Sequence, residues 1–453
     1  MSYAQAVEGL YARGQELTHA ATDAAHTPRR KFDLAEMRTL MAALGQPEMK
    51  FPSVLIAGTN GKGSTSAMLA SILQVAGYRA GLYTSPHLSR VNERVQINGA
   101  AISDDDFALL YFRVDETGVR LLREGKVPQP PSFFEVVTAI AFLYFAEQAI
   151  DLAVLEVGMG GRLDATNIVE PLLSVITDIS LDHTEWLGDT IDAIAREKAG
   201  ILRKNGVLVT LPQHPDANQA LGEVAVALDV RAISAVEYMP PHHTGELDSS
   251  EPYSVTIAGE TVELSPALAG THQHRNAALA VAAACVLRNS NSYNIEPRHI
   301  AEGIHSTRWP GRLELFPRTD SRAAILLDVA HNPAGAWTLR SALNSWPGLA
   351  KQRGQRTLLF SCLKEKAFQE MAQILFPVFD RVILTSVHSP RRAALEDLVA
   401  AARSLGIEPL TTDSATAGME LAQQQTAADG LIVCAGSVYL IGELRESLQQ
   451  GRR

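Results

Sequence analysis

From residue 51 onward, apolar runs of strand length alternate with longer stretches in which apolar residues recur at helical spacing. That alternation predicts parallel strands joined by crossover helices. The strand candidates are 51–58 (FPSVLIAG), 79–84 (RAGLYT), 151–158 (DLAVLEVG), 172–179 (LLSVITDI) and 206–211 (GVLVTL). A helix over 64–77 is closed by Gly77, and 253–268 alternate as a hairpin does. Around 306–322, Pro310, Gly311 and Pro317 break the helical pattern before a fresh strand, AAILLDVA. Further strands at RTLLFSCL, DRVILTSV and DGLIVCAG follow, each with a helix after it. We therefore expect a first α/β domain over 1–310, a linker over 311–322 and a smaller Rossmann-like domain over 323–453.

Composition narrows the class. A content of 46% hydrophobic and 20% charged residues is that of a globular protein with a sizeable core. The formal net charge of -10 argues against a sequence-independent grip on nucleic acid or on an anionic membrane. The start lacks a basic stretch followed by an apolar one, and no apolar run reaches about 18 residues, so a cytoplasmic address is expected. Cys285, Cys362 and Cys434 are far apart and odd in number, which suggests buried apolar residues rather than disulfides or a zinc site.

The strongest local signal is VLIAGTNGKGSTSAM, a buried-strand pattern running into glycines, a lysine and a Ser-Thr pair that opens a helix. Gly58, Gly61 and Gly63 let backbone amides converge on an anion, Lys62 adds a point charge, and Ser64 offers a hydroxyl to a phosphate or Mg²⁺. The loop is a variant: Ile56 stands where the strict phosphate-loop pattern has its first glycine, and Gly63 separates Lys62 from Ser64. The first domain is thus expected to be a parallel sheet of P-loop ATPase type.

In DLAVLEVGMGGRLDATN a strand ends on Glu156, where a carboxylate beside a phosphate loop commonly holds Mg²⁺. Ser85 and His183 also follow strands. By spacing alone, His87 and His183 read equally well as polar residues satisfied by neighbours, and His272 and His274 have no third ligand at a metal-like interval. Lys198 falls on the apolar face of TIDAIAREKAGIL, where it either snorkels to solvent or has a function.

Together AGTNGKGS, TSPHL, LEVGMGGRLDATN, DHTEWLG, REKAGI, GTHQHRNA, WPGR, DVAHNP and CAGSVYLIGE closely resemble the folylpolyglutamate synthase family, dihydrofolate synthases included, within the muramyl ligase superfamily. The resemblance spans nearly the whole chain. It implies ATP phosphates on Thr59, Asn60, Gly61, Lys62, Gly63 and Ser64, with Asn276, Arg312 and Asp328 also contacting ATP. It implies Mg²⁺, expected as two ions, with Ser85, Glu156 and His183 as ligands of one. Lys198 matches a lysine that the family carries as a carbamate, which would suit the second. For a pterin-bearing substrate the resemblance implies Phe32, Asp33, Leu34, Ala35, Ser132, Phe133, Phe134, Glu135, Leu163, Asp164 and Ala165. Phe133 and Phe134 read equally well as core aromatics. His331 and Ser437 match positions near an incoming glutamate. The segment between Arg312 and Asp328 is longer than the family's usual one, and 228–252 carry no motif that aligns.

The activity so implied is ATP-dependent ligation of L-glutamate to dihydropteroate or to reduced folates through an acyl phosphate, with Lys62, Lys198 and His331 as the catalytic candidates. The expected partners are small molecules, and the chain is expected to act as a monomer. Two other readings stay open. One is another amino-acid ligase of the superfamily, although such enzymes normally carry a further N-terminal domain, whereas this chain reaches its phosphate loop by residue 58. The other is a P-loop ATPase without ligase activity, which would not need the DVAHNP domain.

Overall fold

The computed structural model describes residues 2–14, 34–241, 251–319, 322–346, 349 and 354–450. The first unit is built on strands β1 (Ser53–Ala57), β2 (Ala80–Tyr83), β3 (Val95–Ile97), β4 (Ala100–Ala101), β5 (Leu152–Glu156), β6 (Leu173–Ile176), β7 (Val207–Thr210) and β8 (Arg231–Ser234). Their order is β4-β3-β2-β5-β1-β6-β7-β8, with only the β2–β3–β4 edge antiparallel. β1 and β5 are buried along their whole length, as their unbroken apolar runs require of central parallel strands.

Two apolar layers cover this sheet. One gathers Leu55, Tyr83, Val137, Phe142 and Leu155 with helices Tyr3–Tyr11, Asp104–Arg123 and Phe133–Glu147. The other gathers Ile56, Leu69, Val154 and Val281 with helices Lys62–Val75, His272–Asn291 and Pro297–Ser306. The expected hairpin is present as β9 (Tyr253–Ile257) and β10 (Glu260–Leu264).

The second sheet comprises β11 (Glu314–Phe316), β12 (Ala324–Leu327), β13 (Arg356–Phe360), β14 (Arg381–Thr385), β15 (Leu410–Thr412) and β16 (Leu431–Ala435), in the order β11-β12-β16-β13-β14-β15. It is parallel except for β11, which lies within the segment read as linker and pairs antiparallel with β12. The expected α/β class, a large parallel sheet followed by a smaller Rossmann-like one, is what the chain forms. The strands that periodicity does not announce are β3, β4, β8, β11 and β15. Each has five residues or fewer, and β8 and β15 are largely exposed edges, so neither carries an apolar run.

Among the described residues, no helix is long and apolar enough to cross a membrane. All three cysteines are buried and free, as small apolar residues would be.

Candidate active site between the two sheets

The phosphate loop leaves the end of β1 and enters helix Lys62–Val75 through Gly61, whose φ of 89° belongs to the left-handed region. A Cβ there would stand 2.2 Å from Asn276 Oδ1, so only glycine lets the loop lie against that side chain. The helix has no side-chain cap. Its first amides, those of Lys62, Gly63 and Ser64, are therefore left to face an anion. The amides of Thr59 and Asn60 do another job: both donate to the Asp178 carbonyl, at 2.8 and 3.2 Å, and brace the loop against the end of β6. Arg275 grips the Asp178 carboxylate in turn, at 2.5–3.1 Å.

Lys62 Nζ donates to the Thr59 carbonyl at 3.2 Å, and burial lowers its pKa against the pull of Glu156 and Asp182. Lys198 is 4% exposed, and its Nζ donates to the Gly58 carbonyl at 2.8 Å. Burial and the neighbouring charge of Lys62 push it down to about 7. The alternative of snorkelling to solvent is thereby set aside.

Parallel pairing of β1 with β5 sets Ile56 beside Glu156, so the carboxylate stands level with the start of the phosphate loop. Glu156 is buried and accepts the Ser85 amide at 3.2 Å. Desolvation raises its pKa to about 7 despite the opposing charge of Lys62. His183 caps helix Thr184–Leu187 with φ of 52°, and burial keeps its ring neutral, with a pKa of about 3. Arg312 is held below its ordinary value by burial, opposed by Asp328 and Glu156. Asp328 accepts the amides of Leu313 and Ala330, both at 2.9 Å, which orients it at the end of β12.

A cavity of about 270 Å³ runs between the units. On the first unit it is lined by Leu34, Ser132, Phe134, Glu135, Leu163, Asp164 and Ala165, then by Ser85 and His183; on the second by His331, Lys366, Arg391 and Ser437. Ser132 and Glu135 form a reciprocal cap on helix Phe133–Glu147, which presents the helix start to the cavity. Asp164 spends its oxygens on the amides of Gly158, Met159 and Thr166, so it shapes the glycine stretch that forms the cavity floor.

Comparison with known proteins fits this geometry. Residues 56–284 match the Mur ligase middle domain and residues 311–438 the Mur ligase glutamate ligase domain. The chain is 35% identical over 424 residues to a dihydrofolate synthase/folylpolyglutamate synthase of Bacillus subtilis, covering 92% of this chain and 95% of that protein. The chain belongs to the dihydrofolate synthase/folylpolyglutamate synthase family. Among solved structures of that family, Mycobacterium tuberculosis folylpolyglutamate synthase complexed with ADP superposes with a TM-score of 0.85 at 30% identity, over 98% of each chain. Escherichia coli FolC in complex with DHPP and ADP gives 0.83 at 28% identity, over 100% of this chain and 99% of that one.

Within this member of the family, the sequence-predicted residues are mostly brought together. Phe133 is the exception among the described aromatics: at 3% exposure it packs in the core under Arg94 and beside Tyr11, while Phe134 faces the cavity. Ala35 does not line the cavity. Phe32 and Asp33 lie outside the described residues. Ser437 is buried, and its Oγ accepts the Tyr439 amide at the opening of helix Val438–Gln450. Asn276 is buried and bonds Gln273 at 2.8 Å. His272 contacts Gln273 at 3.1 Å, and burial holds its ring neutral, at about 4.

Sequence reasoning missed Asp182, Asn332 and Lys366. Asp182 accepts Lys366 Nζ at 2.7 Å and Asn332 Nδ2 at 3.1 Å, and His331 Nε2 lies 3.9 Å away. Burial would raise its pKa, yet the facing Lys366, His183 and His331 hold it well below the usual carboxylate range. Asn332 also donates to Asn60 in the phosphate loop at 3.1 Å. Asp182 and Asn332 sit inside DHTEWLG and DVAHNP, where the histidines drew the attention. Lys366, in the polar run KEK, gave no signal.

Proposed function

We propose that this chain is an ATP-dependent ligase that joins the amine of L-glutamate to the carboxylate of dihydropteroate or of a tetrahydrofolate through an acyl phosphate. The observation that carries the reading is the continuity of one cavity. It passes from an aromatic and glycine-lined pocket on the first unit, past Ser85 and His183, to the basic groups of the second. A flat ring at one end and an amino acid at the other would meet beside Ser85 and His183.

A carboxylate does not form an amide unaided, because its carbonyl is deactivated and oxide is a poor leaving group. Transfer of the ATP γ-phosphoryl makes the leaving group, a step of positioning and charge neutralisation that Lys62 and Arg312 are placed to supply. The glutamate amine then attacks the carbonyl carbon, a C–N bond forms, and phosphate leaves with the electron pair. His331 Nδ1 lies 2.9 Å from the Val329 carbonyl, which only accepts, so Nδ1 carries the proton and Nε2 keeps a lone pair. Burial holds that ring at about 4, so it is neutral at working pH and Nε2 can accept a hydrogen bond that orients the incoming amine.

The residues suit Mg²⁺ held jointly with phosphates. Glu156 is a buried carboxylate that a cation would relieve, Ser85 offers a hydroxyl, and His183 is neutral. Among the described residues, no group of three His, Cys, Asp or Glu side chains is arranged to hold a metal ion by itself, so an ion here would take its other ligands from ATP and water. Bound there, Mg²⁺ would neutralise the charge of the transferred phosphoryl group. Lys198, pushed down to about 7 and so partly unprotonated at neutral pH, is suited to add CO₂ and become a carbamate, an anion that would offset Lys62 and suit a second ion. The chain's own two units enclose the cavity, so a monomer suffices, and three free cysteines suit the reducing cytoplasm.

The test is phosphate release with dihydropteroate or tetrahydrofolate, each with and without glutamate. Turnover should require both the acid and glutamate. Equal release without either would leave a P-loop ATPase, and activity only with a muramyl-type acid would leave another ligase of the superfamily.

A further inference from the structure

A second cavity, of about 250 Å³, adjoins the first. On the first unit it is lined by residues 181–186, and on the second by Asn332, Pro333, residues 365–367 and Glu370. Leu181, Thr184, Glu185, Ala367 and Glu370 are exposed, so this cleft is in contact with bulk water. His183, Trp186 and Lys366 line both cavities. On this side, the wall between the outer cleft and the first cavity is thus formed by these three side chains.

Among the contacts that join the units along this wall is an ion pair between two largely buried side chains. Lys366 Nζ donates to Asp182 Oδ1 at 2.7 Å, with the two side chains only 8% and 11% exposed. Asn332 Nδ2 donates to the other carboxylate oxygen at 3.1 Å and to Asn60 Oδ1 at 3.1 Å, tying the contact to the phosphate loop. Deleting one member of so buried a pair leaves the other charge without its partner, and water from the outer cleft is then drawn inward to hydrate it.

We propose that the Asp182–Lys366 pair is a seal between the units that keeps water from the activated carboxylate. The inference rests on the ligase reading above. An acyl phosphate has two fates at one carbon. With the amine, a C–N bond forms, the C–O bond to phosphate breaks, phosphate carries off the electron pair and the nitrogen sheds a proton. With water, a C–OH bond forms, the same C–O bond breaks, and carboxylate, phosphate and a proton result. Only the first yields product, whereas both consume ATP. The chemistry itself does not choose, so exclusion of water must. Asp182 is a positioning residue: it lines only the outer cleft and meets the reaction cavity through Lys366 and through His331, whose Nε2 lies 3.9 Å away.

Asp182→Asn and Lys366→Met are tested separately at saturating glutamate, with phosphate and amide product measured in the same reaction. The wild type should release one phosphate per amide. Each variant should release at least about threefold more phosphate per amide, and should release phosphate with the folate acid alone. Lys366→Arg, which keeps the charge, should stay close to the wild-type ratio. A general loss of structure would slow both outputs together and leave the ratio unchanged. Slower turnover at an unchanged ratio in both variants overturns the seal. So does failure of both to fold, because a lid between two units is not needed by the core of either. A wild type without glutamate-dependent phosphate release sinks the ligase reading instead, which separates the two failures.

Discussion

Replacing Lys198 by methionine should make the protein more stable at neutral pH while abolishing most of its activity. The methionine keeps the apolar stem of a side chain that is 4% exposed, so little packing is lost. Two terms then oppose each other. The Gly58 carbonyl loses the donor it has at 2.8 Å, which costs about 1–3 kcal/mol. Against this, burial holds the lysine at about 7 in the folded state against 10.5 ordinarily. Its protonation favours the unfolded chain, by roughly 5 kcal/mol at most, and methionine removes that penalty. The sign follows from the depressed folded-state value. The penalty is complete below about 7, shrinks as pH rises from there towards 10.5, and is absent above. The variant should therefore be more stable than the wild type by about 2–4 kcal/mol near pH 7 and less stable by about 1–3 kcal/mol above pH 10.5, a difference that changes sign between. Urea midpoints of both proteins in CO₂-free buffer across that range provide the assay, because titrating groups not coupled to Lys198 cancel in the difference. A difference that does not move with pH would refute the reasoning. Bicarbonate adds a second arm: it should raise the wild-type midpoint near pH 7.5 by converting the amine to a carbamate, and leave the methionine variant unmoved.

Three further outcomes are expected. Lys198→Ala should lose most activity and regain part of it with added short-chain carboxylates, and full activity without them would remove Lys198 from the site. Glu156→Gln should fold with stability equal to or above the wild type at pH 8, because a carboxyl pushed up to about 7 by burial is disfavoured as an anion, yet should need far more Mg²⁺ for turnover; an unchanged Mg²⁺ dependence counts against its assignment. Gly442→Ala places a Cβ 2.0 Å from the Leu88 carbonyl, where the last helix meets the loop after β2, so the units should be forced apart. Its cost should be about 1–3 kcal/mol, with turnover falling more than nucleotide binding, and normal turnover would show that the contact can be relieved.

The sequence by itself determined what local chemistry dictates. Unbroken apolar runs announced β1, β5, β12, β13 and β16, and glycines followed by a lysine announced the phosphate loop, because burial and tight turns leave their mark on consecutive residues. That Lys198 lies on the apolar face of its helix was legible from helical spacing, while its burial was decided by the structure. What only the tertiary structure decided depends on pairings across long intervals. Phe133 and Phe134 are neighbours in sequence, yet one faces the core and the other the cavity, since adjacent positions of a helix point about 100° apart. Asp182, Asn332 and Lys366 belong to segments 150 and 184 residues apart, and their meaning arises only where two sheets face each other. A polar residue looks the same in a solvated loop as in a buried contact, and only its partner across the cleft tells them apart.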